Sequence, residues 1–350
     1  MILCRNHIVY KMTVINGIEI DDIEYRPNNI REAIRRLDPI EEKLHVIIVV
    51  SNPCQFASRY ILAREFVERM ERDEADSVIL YVVELIYGPK QRYLVTEKGN
   101  PRHLQLKTNV PIWHKENMIN LGIRYLLPKD WKAVAWIDAD LEFDSAHWAG
   151  DALRLLNGEC DIVQLFSHCI DMGPNPNRET LNVFHSAGFQ FQKQAKYKKF
   201  GTGRDYWHPG YAWACTHEAY ERMGGLYEYG ILGSGDNIMC LSLLGHGHLA
   251  IHKESTEGYK QSVLDFGSKV KYMKYGYVPG VIRHYYHGSK KNRKYSERWL
   301  ILLNHLYDPY QFIKHDKMGI IVPNMEHCPF ELLVDIYSYF AKRQEDENIS

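Results

Sequence analysis

The chain has no excess of charge of either sign. Its 350 residues carry 43 Lys plus Arg and 44 Asp plus Glu, a formal net charge of −1. A protein that coats a polyanion shows a basic excess or stripe, so a general nucleic-acid-binding role is disfavoured. A cysteine pattern is also missing. Cys4, Cys54, Cys160, Cys169, Cys215, Cys240 and Cys328 are scattered, odd in number, and form no Cys-x-x-Cys. This suggests neither a zinc ribbon nor a disulfide framework and fits a reducing compartment. The longest apolar runs, such as Val78 to Val83, fall far short of the ~18 residues of a membrane span. The first residues, Met1 to His7, lack the charged-then-apolar layout of a signal peptide. A cytoplasmic chain without a transmembrane segment is expected. Gly-x-x-x-x-Gly-Lys-Ser/Thr, Gly-x-Ser-x-Gly and His-Glu-x-x-His are all absent. That argues against P-loop NTPases, serine hydrolases of that type and zincins.

What is present has the balance of a globular protein, with 45% hydrophobic and 25% charged residues. The length allows one large α/β domain or two smaller ones. Aromatic residues reach 12%. Tyr and Trp suit stacking on sugars or bases, although filling the core accounts for most of them.

Periodicity sharpens from residue 45. His45 to Val50 is a continuous apolar run, as in a strand buried on both faces. Ser51-Asn52-Pro53 offers a cap and a first-turn proline for a helix with Tyr60, Ala63, Val67 and Met70 on one face. Val78 to Val83 is a second such strand, so a parallel sheet with helices on its faces is predicted. Further helices are predicted over 115–126, 145–156, 216–223, 236–244 and after 295, with a short one over 30–37. Strands are predicted over 133–137, 161–166 and 278–286. Residues 168–206, rich in Gly, Pro, Asn and Lys, read as a functional loop or lid with hinges at Gly201 and Gly203. The acidic tail Glu345-Asp346-Glu347 reads as a solvated face.

Three constellations can carry chemistry. Asp138-Ala139-Asp140 is the only Asp-x-Asp and ends an apolar strand. Open α/β sheets bind ligands at that edge, and two carboxylates there can hold a divalent cation against a diphosphate. A solvated turn is the bland alternative. Leu232-Gly233-Ser234-Gly235-Asp236-Asn237 lets the backbone approach a ligand, with Asp236 at a helix start, ready to take a proton from a hydroxyl. A plain N-cap is the alternative. In His284-Tyr285-Tyr286-His287-Gly288-Ser289, followed by Lys290, Lys291, Arg293, Lys294 and Arg298, one or both histidines can complete the cation site and the basic residues can clamp phosphates. Any single one of 17 His is more often structural, and a basic run is usually solvated. Weaker signals are His208-Pro209-Gly210-Tyr211-Ala212-Trp213, where core packing of Trp213 is an equal reading, and Trp113 with Lys115 and Asn117.

The order of these motifs, from Ile47–Val50 through Trp113–Asn120, Trp136–Asp140, Gly210–Gly225 and Gly233–Asp236 to His284–Arg298, resembles a glycosyltransferase of the GT-A fold. It is most similar to the bacterial and large-virus family 2-like enzymes, and in part to the catalytic half of the β-1,4-galactosyltransferases. The resemblance covers roughly residues 45–320. It implies a Rossmann-like, mostly parallel sheet in a single large domain over 44–320. Residues 44–165 would form the nucleotide-sugar half and 166–320 the acceptor half. An N-terminal extension (1–43) and a C-terminal helical tail (321–350) would flank it.

The resemblance also implies a nucleotide-sugar donor, with UDP favoured, and a divalent metal. Asp140 matches the carboxylate that touches the metal most directly, and Asp138 faces ribose or metal. His284 and His287 have the three-residue spacing of two ligands, with His287 slightly preferred. Imidazole ligands favour manganese over magnesium. Asp236 matches the base of inverting members. Gly235 stands where the family often has Glu, which puts an acceptor contact in doubt. Ser51, Asn52, Trp113, Lys115, Asn117, Ala139, Lys290 and Arg293 are expected on the donor side. His208, Gly210, Tyr211, Trp213, Gly235 and Asn237 are expected on the acceptor side, with a glycan or other hydroxyl as acceptor. The competing readings are an inactive nucleotide-sugar or glycan binder on the same fold and a nucleotidyltransferase. The latter would want a glycine-rich loop where this chain has Ser51-Asn52-Pro53-Cys54-Gln55.

Overall fold

The computed structural model describes residues 13–15, 18–20, 34–174, 179–195, 197, 205–294 and 297–346. In chain order the strands are β1 (Thr13–Ile15), β2 (Ile18–Ile20), β3 (Leu44–Ser51), β4 (Val78–Tyr87), β5 (His103–Thr108), β6 (Ala133–Ile137), β7 (Leu141–Phe143), β8 (Ile162–Gln164), β9 (His168–Met172), β10 (Thr180–Ser186), β11 (Trp207–His208), β12 (Ala212–Thr216), β13 (Tyr275–Tyr277), β14 (Val281–His284), β15 (Ile313–His315) and β16 (Ile321–Pro323). The helices that matter below are α1 (Ala57–Asp73), α2 (Lys115–Leu126), α3 (Trp148–Leu155), α4 (Ala187–Gln192), α5 (His217–Met223) and α6 (Gly235–Leu243).

The fold is mixed α/β. Seven strands form one sheet in the order β13-β8-β12-β6-β3-β4-β5. All its pairings are parallel except the two made by β12. The alternation of β3 explains the layers. Leu44, Val46 and Ile48 share a core with Phe66 and Met70 of α1 and Trp148 and Leu153 of α3. Ile47 points the other way, into a core with Met118 and Leu121 of α2. A strand apolar on both faces is what two covered faces demand. Helix α2 lies close on the sheet because Gly122 has no side chain there. A Cβ at that position would sit 2.8 Å from Val83 Cγ2.

A second sheet, β11-β10-β9-β14-β7, adjoins the first. Strand β9 pairs parallel with β14 and antiparallel with β10. The large sheet takes strands from residues 44–164 and from 212–277, so the two halves of the chain share it.

Several expectations need correction. Residues 168–206 are not one long loop: β9, β10 and α4 lie within them, and all five residues of β9 are buried. The polar residues His168 and Asp171 hid the strand; both are buried, with His168 Nδ1 2.8 Å from Ser167 Oγ and Asp171 bonded to Tyr211 and His284. Gly201 and Gly203 lie outside the described residues, as does the start of the helix expected over 30–37. Helix α1 starts at Ala57, four residues later than the Pro53 signal suggested. Asn52 bonds Phe56 through both its amide atoms, and Asp346 accepts the free N–H groups of Ala57 (2.8 Å) and Ser58 (2.9 Å). The tail is not solvated at Glu345, which is 1% exposed. Among the described residues, no helix is long and apolar enough to cross a membrane.

Candidate active site

The chain ends of β3, β6 and β14 open on one cavity of about 790 Å³. Strand β6 ends at Ile137, and the chain turns through Asp138-Ala139-Asp140 into β7. Two backbone bonds fix that turn: Asp138 N–H donates to Tyr211 O (2.9 Å), and Tyr285 N–H donates to Asp140 O (2.8 Å). The second sets Asp140 beside the end of β14, where His284 and His287 stand.

Asp140, His284 and His287 each offer a ligand atom, and these atoms lie within 4.8 Å of one another. Asp140 Oδ2 is 2.8 Å from His287 Nε2 and 3.7 Å from His284 Nε2. Asp140 Oδ1 is buried with no hydrogen-bond partner. A buried carboxylate with one oxygen orphaned and the other facing two imidazoles is a donor set with a ligand position to fill. The residues therefore fit a divalent cation. Asp138 is not part of that cluster; its Oδ1 is paired with Lys115 Nζ. Burial opposes the charge on Lys115, but Asp138, Asp236 and Glu116 outweigh it, so the ammonium titrates above its ordinary range.

A second layer orients the histidines. Asp171 Oδ1 lies 2.9 Å from His284 Nδ1 and accepts from Tyr211 Oη–H at 3.2 Å. Its Oδ2 accepts from Lys290 Nζ. With Nδ1 so engaged, Nε2 faces Asp140, the arrangement that fixes a metal-binding imidazole. Burial opposes charge on His284, but Asp140 and Asp171 raise its pKa to about 9. On the other ring, burial and Arg293 lower the pKa of His287. Arg293 Nη2 stands 2.8 Å from His287 Nε2.

Across the cavity, Asp236 opens α6. Its Oδ1 accepts the N–H of Asn237 at 2.7 Å. A Cβ on Gly210 would lie 2.7 Å from its Oδ2, so the carboxylate keeps this position only beside a glycine. Backbone φ is positive at Ser234 (74°) and Tyr211 (82°), the neighbours of these residues. Non-glycine residues rarely hold that conformation, and it clusters at functional sites.

The expected residues sort as follows. Ser51, Asn52, Trp113, Lys115, Asp138, Ala139, Asp140, His208, Gly210, Tyr211, Asp236, Asn237, His284, His287, Lys290 and Arg293 line the cavity. Some of them are committed to protein partners: Ser51 Oγ to Tyr87 Oη at 2.6 Å, and Asn52 to Phe56. His208 stacks on Tyr211 with centroids 3.9 Å apart. Asn117 lies elsewhere, bonding Glu228, Gly319 O and the N–H of Ile321. Expected on the donor side, its amide instead faces a packed junction. Trp213 is 1% exposed, donates to Pro209 O and stacks on Tyr275, so it belongs to the core. Gly235 is covered by Glu116. Lys291 and Lys294 are exposed away from the lining, whereas Arg298 joins it.

Sequence reading missed Asp171, Glu116, Arg59, Arg343 and Glu345. Glu345 is paired bidentately with Arg59 (Nη2–Oε1 2.8 Å) and with Arg343 at 2.7 Å, and lies 3.7 Å from His287 Nδ1. No sequence signal marked Asp171. For Glu345, the nearby Asp346 and Glu347 imitated a solvated acidic run.

No protein-family model matches the chain, and no curated protein matches it in sequence. Among solved structures, the chain is similar to the catalytic domain of Drosophila β1,4-galactosyltransferase 7 in complex with xylobiose. That match has 13% identity and a TM-score of 0.30, over 59% of this chain and 63% of that one. It is also similar to a mutant of the same Drosophila enzyme in complex with manganese, UDP-Gal and xylobiose. Here identity is 12% and the TM-score 0.36, over 81% of this chain and 93% of that one. A mannosyltransferase from Pyrobaculum calidifontis in complex with GDP-Man and Mn2+ matches at 14% identity and a TM-score of 0.37, over 78% of this chain and 65% of that one.

Proposed function

We propose that the chain is a metal-dependent glycosyltransferase of the GT-A type. It would move a sugar from a nucleotide-sugar donor, UDP-sugar favoured, to an acceptor hydroxyl with inversion. The observation that carries this reading is the meeting of Asp140, His284 and His287 in the wall of a cavity that also holds Asp236 and several cationic side chains. The order of motifs supports it as well.

Asp140, His284 and His287 would hold the cation. When bound, a divalent ion, manganese in preference to magnesium given the imidazoles, neutralises charge developing on the leaving diphosphate. Asp171 keeps His284 in the ligating tautomer. Lys290, Arg293 and Arg298 stand where anionic oxygens of a donor can be bound. Asp236 takes the proton of the acceptor hydroxyl as its oxygen bonds to the anomeric carbon. The bond from that carbon to the diphosphate oxygen breaks, and the nucleoside diphosphate leaves. His208 and Tyr211 offer a stacked aromatic wall for the acceptor ring.

A thermal-shift panel of UDP-, GDP- and dTDP-sugars, each with and without manganese, tests the reading. A rise in Tm that needs both nucleotide and manganese is expected, with UDP largest. Asp236→Asn should keep that shift and lose transfer by about 10²-fold or more. A normal transfer rate in Asp236→Asn, or product of retained configuration, would overturn the base assignment.

A further inference from the structure

Gly235 precedes Asp236, and the space beside it is taken. A Cβ built on Gly235 would lie 2.6 Å from both Cδ and Oε1 of Glu116. The Glu116 carboxyl, from the first turn of α2, thus fills the volume where a side chain at 235 would begin. It is 6% exposed, and it lines the same cavity as Asp236. Its Oε2 accepts a hydrogen bond from Trp113 Nε1 at 3.0 Å, which fixes the carboxyl plane. Its Oε1 is the oxygen on the Gly235 side. Burial, with Asp236 adding to it and Lys115 opposing, pushes its pKa up to about 7. A buried carboxyl held next to another carboxylate is costly, and a packing role alone would be met by Gln or Leu.

We infer that Glu116 is an acceptor-binding residue: its carboxyl hydrogen-bonds a second hydroxyl of the acceptor, next to the one that gives its proton to Asp236. This rests on the transferase reading above and narrows its acceptor to a saccharide with vicinal hydroxyls. A lone alcohol, such as a serine side chain or a lipid headgroup hydroxyl, would offer Glu116 no second hydroxyl. A site built to bond a hydroxyl rejects the analogue that lacks it.

The test uses the full chain with manganese and the UDP-sugar giving the largest thermal shift. Acceptors are methyl β-glucoside, β-galactoside and β-xyloside, each beside its monodeoxy analogues. The wild type should prefer one diol over its monodeoxy analogue by on the order of 10-fold or more in kcat/KM. Glu116→Gln and Glu116→Ala should raise the acceptor KM and erase most of that preference, while the calorimetric Kd for UDP with manganese changes less than about twofold. Gly235→Glu alone should be impaired by collision with Glu116. The double variant Glu116→Ala/Gly235→Glu should recover preference for the diol, because it returns a carboxyl to the same volume. An unchanged acceptor KM in Glu116→Gln overturns the inference. So does a loss of UDP binding in step with it, which marks a structural role. If the wild type transfers to none of these glycosides yet hydrolyses donor, the saccharide assignment falls while the transferase reading stands. If it neither binds UDP with manganese nor turns donor over, both fall.

Discussion

Asp236 and Gly210 illustrate how narrowly the site is built. With no side chain, Gly210 admits Asp236 Oδ2 to a position 2.7 Å from where a Cβ would stand. Gly210→Ala must therefore push the carboxylate aside. A displacement of about 1 Å at a reacting group costs on the order of 10²-fold in rate. We expect Gly210→Ala to lower kcat by about that factor with little change in Tm, measured by turnover and thermal unfolding. Unchanged kcat would mean that the Asp236 carboxylate need not be held there. At this scale the sequence was partly legible. Asp140 announced itself as an acid after an apolar strand, and His284 and His287 by their spacing. Asp171 and Glu116 did not, because each owes its place to a partner distant in the chain, His284 for one and Gly235 for the other.

Elements were legible wherever both faces of a strand or one face of a helix are apolar. Strands β3, β4 and β6 and helix α2 follow from such patterns. Strand β9, His168-Cys169-Ile170-Asp171-Met172, was not legible, since its buried polar residues are satisfied by partners outside the strand, Asp171 by Tyr211, His284 and Lys290. The start of α2 carries a testable electrostatic consequence. His114 precedes the helix and is 1% exposed. Its ring nitrogens lie 2.9 Å from Ile321 O and 3.1 Å from Tyr87 Oη, so the neutral ring donates to the carbonyl and accepts from the phenol. Burial lowers its pKa to about 4 despite the Ile321 carbonyl. The folded state thus keeps His114 neutral while the unfolded chain protonates it from its ordinary value of 6.5 downward. Its stabilising contribution is complete above that value and is lost as pH falls towards about 4, by roughly 3 kcal/mol. Denaturant unfolding at pH 7, 5 and 4 should show a shallower loss for His114→Gln than for the wild type. Parallel pH profiles would contradict the assignment.

For the whole molecule, the C-terminal segment closes the cavity wall that the first helix begins. Asp346 takes the N-terminal amides of α1, and Glu345 sits between Arg59 and Arg343 beside His287. Removing one partner of a buried charge cluster leaves the others uncompensated, at a cost of about 3–5 kcal/mol. Glu345→Ala should lower Tm substantially, and it should weaken manganese binding because Arg59 and Arg343 lose their counter-charge near His287. A wild-type Tm would show that the tail is only loosely attached. This closure was illegible from composition, because only the fold brings Arg59 opposite Glu345.

The proposed function depends at every scale on one cation that Asp140, His284 and His287 would hold. Titrating Mn2+ into the chain in the presence of UDP, read by the electron paramagnetic resonance signal of the free ion, addresses that directly. The account predicts one bound ion per chain, its affinity falling at least about 10-fold in Asp140→Ala and in His284→Ala, and by about 10-fold in Asp171→Asn, which touches only the orienting layer. Binding that is equally tight in Asp140→Ala, or no binding by the wild type, would contradict it.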